Sequence, residues 1–174
     1  MREVSLGLDI YIEDKRWRHI PRLRVQLKKA ASATLIRLPK HLRFPCMVNV
    51  LLTNNEGVRC LNRDFRGIDK PTNVLSFPQF YLSELPKKGK KRERIELGDI
   101  AFGYQYVVAE AKKDNKILIN HVHHLLIHGI LHLFGYDHRL ARDAIRMERL
   151  EVRIMKGLGL PNPYRTQPKE PKAR

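Results

Sequence analysis

Three closely spaced histidines carry the clearest chemical signal in this chain. The segment from His128 to His138 reads His-Gly-Ile-Leu-His-Leu-Phe-Gly-Tyr-Asp-His, with histidines four and then six residues apart. On a helix turning ~100° per residue, His128 and His132 project from one face a turn apart, as two ligands of one metal ion must. A helix that simply continued would rotate His138 away by ~240°. Gly135 offers the way back, because glycine readily takes the left-handed conformation that ends a helix. Three imidazoles then make a site with at least one coordination position open, the mark of a catalytic rather than a structural zinc site. An ion held so lowers the pKa of its water from ~15.7 to about 7. One zinc ion per chain is expected, since three imidazoles favour it, although nickel or copper bind the same nitrogens. Asp137 is a candidate acceptor for the second N–H of a ligating ring, a cap or turn role being its alternative. His121 and His124 lie seven and four residues before His128 on roughly the same face, but packed histidines are the commoner case and neither enters the ligand set.

The metzincin zinc peptidases resemble this spacing, but their motif places a glutamate directly after the first histidine as general base. Here that position is Gly129, which supports the metal geometry and weakens proteolysis. A glycine in mid-helix also costs ~1 kcal/mol relative to alanine, so a close approach beside His128 is expected. The charge balance points to a different substrate. Against 34 Lys and Arg stand 18 Asp and Glu, a net +16 that attracts polyanions. Nucleic acid is the partner class this favours, and phosphodiesters the bonds.

A second constellation runs upstream from Asn62 to Pro78: Asn-Arg-Asp-Phe-Arg-Gly-Ile-Asp-Lys-Pro-Thr-Asn-Val-Leu-Ser-Phe-Pro. Asp69, Pro71, Thr72 and Asn73 suit a turn whose side chains bond the backbone, and Arg66 offers a planar fork for phosphate oxygens. By itself this reads equally as a helix end and a turn before a strand.

The elements that must position these residues follow from periodicity. Val4, Leu6, Leu8, Ile10 and Ile12 alternate with polar neighbours as a first strand does. Pro21 suits a first helical turn, and Ile20, Leu23, Leu27, Ala30 and Thr34 form an apolar stripe opposite Arg22, Arg24, Lys28 and Lys29. Strands are predicted over Met47–Thr53, Val74–Phe77 and Leu97–Phe102, with Pro78 pushing the second of these towards an edge or an end. Helices are predicted from about Asn55 to Asp64, Gln105 to Lys113, Ile119 to Phe134 and Ala141 to Lys156. The basic stretch from Pro86 to Arg94 has no apolar period and reads as an exposed loop, a solvated insertion as readily as an RNA contact. Asp99, near a strand end, is a weak candidate for the cleft. Alternation of strands and helices favours a mixed α/β or α+β sheet, with connections short enough for at least one antiparallel strand. One domain over residues 1–160 and a loosely held basic tail over 161–174 are expected. Cys46 and Cys60 sit in apolar-patterned segments and are expected to be buried thiols of a cytoplasmic protein. No uncharged run approaches a membrane span.

Taken together, the 128–138 and 62–78 segments resemble the hallmarks of the YbeY family, and the match continues through Leu97-Gly-Asp-Ile100 and the final helix. The resemblance implies a mixed, mostly parallel four-stranded sheet with about five helices, and a zinc ion on His128, His132 and His138. It also implies single-strand endoribonuclease activity in rRNA maturation, at the 16S 3′ end, together with ribosome quality control, with single-stranded rRNA and the small ribosomal subunit as partners. The family's conserved arginine falls on Arg66, which would stabilise charge developing on phosphorus. The basic insert near residues 87–94 departs from the family pattern. Attack by water would leave a 5′-phosphate and attack by the ribose 2′-OH a cyclic phosphate; the residues leave both open. A non-catalytic RNA-binding assembly factor is the alternative from another class, with a zinc peptidase behind it.

Overall fold

The computed structural model describes residues 5–80, 94–138 and 140–165. Within them four strands and five α-helices follow the order β1 (Leu6–Ile12), α1 (Leu23–Arg37), β2 (Cys46–Thr53), α2 (Asn55–Arg66), β3 (Val74–Pro78), β4 (Ile95–Gly103), α3 (Tyr104–Lys113), α4 (Leu118–Leu133) and α5 (Ala141–Gly157). The expected loop over Pro86–Arg94, Arg94 apart, and the tail from residue 166 lie outside the described residues.

The sheet order is β1-β2-β4-β3. β1, β2 and β4 run parallel, and β3 pairs antiparallel with β4 at the edge. Pro78 closes β3 on that edge, where a residue without an N–H costs the ladder least. The expected α+β sheet is therefore the one observed, with each element within a few residues of its predicted bounds. Pro21 is the exception at the start of α1. The helix begins at Leu23 because Arg22 takes a left-handed conformation at its N-cap, leaving Pro21 in the preceding turn.

Leu6, Leu8 and Ile10 of β1, Val48, Val50 and Leu52 of β2, and Ile100 and Phe102 of β4 are buried in one continuous core with α1 and α4. α4 is buried over most of its surface, as a helix enclosed by other elements is, and α5 packs over α1 and α4. Two short 3-10 turns, Lys15–His19 and Lys40–Leu42, have no periodic signature. The first buries Trp17 completely and directs its Nε1–H to the Thr53 carbonyl at 2.8 Å. Cys46 is buried as expected. Cys60 is only partly buried, because α2 turns just Val58 and Asn62 into the interior.

Candidate metal centre

α4 presents His128 and His132 one turn apart, and the chain then reverses. Gly135 adopts φ 81°, Tyr136 N–H reaches back to the Leu131 carbonyl at 3.0 Å, and Gly135 N–H to the His132 carbonyl at 2.9 Å. This pair of bonds is a Schellman ending, which requires a residue free to be left-handed. The turn returns His138 to the face it would otherwise have left. Ligand nitrogens of His128, His132 and His138 all lie within 4.8 Å of one another, and ring centroids are 4.5 Å (128–132), 5.0 Å (132–138) and 5.6 Å (128–138) apart.

The remaining ring nitrogens identify what this cluster suits. His128 Nδ1 lies 2.7 Å from a carboxylate oxygen of Glu151, and His132 Nδ1 lies 2.9 Å from the Tyr136 carbonyl. Both acceptors lack protons to give, so each Nδ1 donates and each Nε2 carries a bare lone pair. Those two Nε2 atoms face each other at 3.0 Å. Two lone pairs at that distance repel unless an electrophile joins them, so the donor set fits a divalent ion. Burial, with the neighbouring His128 and His138 rings, pushes His132 down to about 4, which keeps this ring neutral and its free nitrogen unprotonated at ordinary pH.

Glu151 is the residue that sequence reading missed. It is fully buried in α5 and receives His128, His124 (3.2 Å) and the Tyr164 hydroxyl. Burial alone would raise its carboxyl, but the hydrogen bonds from His124 and His128 outweigh this and hold it at about 2. The one available signal was a carboxylate inside the apolar stripe of Met147, Leu150 and Ile154. Asp137, by contrast, accepts its neighbour's backbone, His138 N–H, at 2.7 Å, the turn role that was its alternative.

His121 and His124 do not join the cluster. His121 meets Glu110 at 3.0 Å, and Glu110 in turn accepts from Asn73 Nδ2 at 2.9 Å. Asn73 also accepts Val74 N–H at 2.6 Å, so the turn before β3 is tied through one carboxylate to the histidine helix. Asp99 lies in mid-strand, 3.0 Å from Asn49 of β2. Strand alternation turns it to the face opposite Ile100, away from α4. Gly129 has a packing reason: a Cβ there would lie 3.0 Å from both Ile100 Cδ1 and Ser76 Oγ. A side chain at 129 would thus enter the sheet rather than the cluster, which removes the place for a peptidase base. Arg66 ends α2, exposed, and among the described residues it makes no hydrogen bond or ion pair. Arg59 is the arginine bound to Asp69 (2.8 Å) and Glu56 (3.0 Å).

Among the described residues, no helix is long and apolar enough to cross a membrane. Residues 11–159 match the family described as Endoribonuclease YbeY. A protein of that name from Bradyrhizobium diazoefficiens is 40% identical over 152 residues, covering 87% of this chain and 81% of its own length. Those of Rhodopseudomonas palustris (strain BisB5) and Allorhizobium ampelinum are 48% and 44% identical, covering 68% and 71% of this chain and 61% and 71% of themselves. A Thermotoga maritima protein solved in solution shares the fold at TM-score 0.54 with 24% identity, over 96% of this chain and 99% of its own. With the histidine turn, the α+β sheet and a match along most of its length, this chain belongs to the YbeY endoribonuclease family.

Proposed function

We propose that the chain is a metal-dependent endoribonuclease that cleaves single-stranded RNA in rRNA maturation, acting in the cytoplasm on small-subunit rRNA near its 3′ end. The observation that carries the reading is the facing pair of Nε2 lone pairs on His128 and His132, with both Nδ1 atoms already committed to oxygen acceptors. His128, His132 and His138 would hold one ion, and zinc is the choice that three imidazoles favour. Bound there, zinc supplies Lewis acidity that makes water acidic near neutral pH and offsets charge on phosphate oxygens. The chain's own residues do the rest. Glu151 and the Tyr136 carbonyl fix the ring orientations, and the exposed position of His138 leaves the cluster open to a large substrate. Arg66 brings a guanidinium fork with no partner among the described residues, suited to the equatorial oxygens of a phosphate in transition.

The test compares wild type with His132→Ala and Arg66→Ala on a single-stranded RNA matching the small-subunit rRNA 3′ end, with bound metal quantified. Wild type is expected to cleave, His132→Ala to lose metal and cleavage, and Arg66→Ala to keep metal and lose cleavage by ~10²-fold or more. Metal-loaded wild type that binds the RNA without cutting it would turn the reading to an assembly factor. Metal loss in Arg66→Ala would end the role given to that arginine.

A further inference from the structure

Beside the histidine cluster, but outside it, a groove of about 460 Å³ runs between the end of α1 and the outer face of α5. Arg37, Lys40 and Arg43 line it from one side and Arg146 and Arg153 from the other. Arg146, Leu150 and Arg153 fall at helical spacing, so one face of α5 builds a whole wall. None of the nine lining residues is acidic, and none of the five cations is ion-paired among the described residues. Unpaired like charges gathered in a cleft raise the local potential, and their only stabilising occupant is an anion. The cleft falls within the ~300–1,000 Å³ range that holds small organic ligands, so it accepts a unit of nucleotide size.

Tyr136 joins this groove to the candidate metal centre. Its ring lines the groove beneath the Arg146 guanidinium, 5.5 Å from ring centroid to Cζ, while its carbonyl accepts from His132. One residue thus contributes its ring to the groove and its carbonyl to the orientation of His132. The charged wall offers donors only: guanidinium and ammonium groups, with no carboxylate or amide oxygen to read a base. Such a surface grips phosphates and ignores sequence, as the basic grooves of single-strand binders do.

We propose that this groove holds the phosphate backbone of single-stranded RNA to one side of the three histidines, without reading its sequence. The inference rests on the nuclease reading for its substrate but is tested by binding as well as by turnover. Lys40→Ala/Arg153→Ala removes two groove cations that make no hydrogen bond among the described residues, and Lys28→Ala/Lys29→Ala removes two exposed cations of α1 outside it. Binding of a fluorescent oligouridylate is measured against salt, and KM and kcat for cleavage of a longer single strand are taken in parallel. The groove variant is expected to bind about tenfold more weakly, with a salt slope shallower by about 1.4, while the control keeps wild-type values. KM should rise in the groove variant with kcat held. Equal losses in both variants, or none in either, overturn the groove. Absence of cleavage by metal-loaded wild type overturns the nuclease reading alone, since the binding comparison still decides the groove.

Discussion

Glu151 orients one of the three histidines, His128. Its carboxylate takes the Nδ1–H of His128 and so aims the opposite nitrogen at His132. Glu151→Gln keeps the shape and removes the charge that favours this tautomer. Metal affinity is expected to fall ~10–100-fold, read by competition with a chromophoric chelator, while the far-ultraviolet spectrum stays unchanged. Equal affinity in the two proteins would show that His128 needs no such partner. The clustering of the three histidines was legible in the sequence because their spacing is a property of one helix and one turn. Glu151 was not, because its partner lies 23 residues away and the pairing depends on how α5 crosses α4. Nearness along the chain pointed instead to Asp137, whose carboxylate accepts the His138 N–H within its own turn.

The elements themselves were legible wherever they were long enough to show a period. The 3-10 turns at Lys15–His19 and Lys40–Leu42 were not, since one turn has no repeat to detect, and so the burial of Trp17 went unforeseen. β4 hides a further feature. Its register against β2 skips at Leu97, with Met47 opposite Glu96 and Val48 opposite Gly98. At this bulge Gly98 takes φ 138°, and a Cβ there would stand 2.1 Å from the Phe77 carbonyl. Only glycine fits, which gives the Leu97-Gly-Asp-Ile100 segment a physical cause. Gly98→Ala should cost about 2 kcal/mol or more, lowering Tm by roughly 4 °C or more for a domain of this size. A thermal melt within a degree of wild type would mean that the bulge can open at little cost.

At the scale of the whole molecule, the buried histidines link stability to pH. Burial lowers the pKa of His123, whose ring lies 3.3 Å from the Gln26 carbonyl, and burial lowers that of His121 despite its pairing with Glu110. The unfolded chain then binds more protons below about pH 6.5, so stability rises with pH and is lost as pH falls through that value. Each such ring contributes a slope of up to about 1.4 kcal/mol per pH unit. His123→Gln should flatten the dependence between pH 7 and 5, measured by urea unfolding in chelator; an unchanged slope would exclude His123 as a source. The same helix that carries these rings also fixes the order in which the centre can be completed during synthesis. His128 and His132 leave the ribosome well before Glu151 and Tyr164, and until α5 docks nothing selects the tautomer of His128. The arrangement of His128 is therefore complete only once nearly all of the described fold has emerged, so the last helix to be made is the one that finishes the cluster.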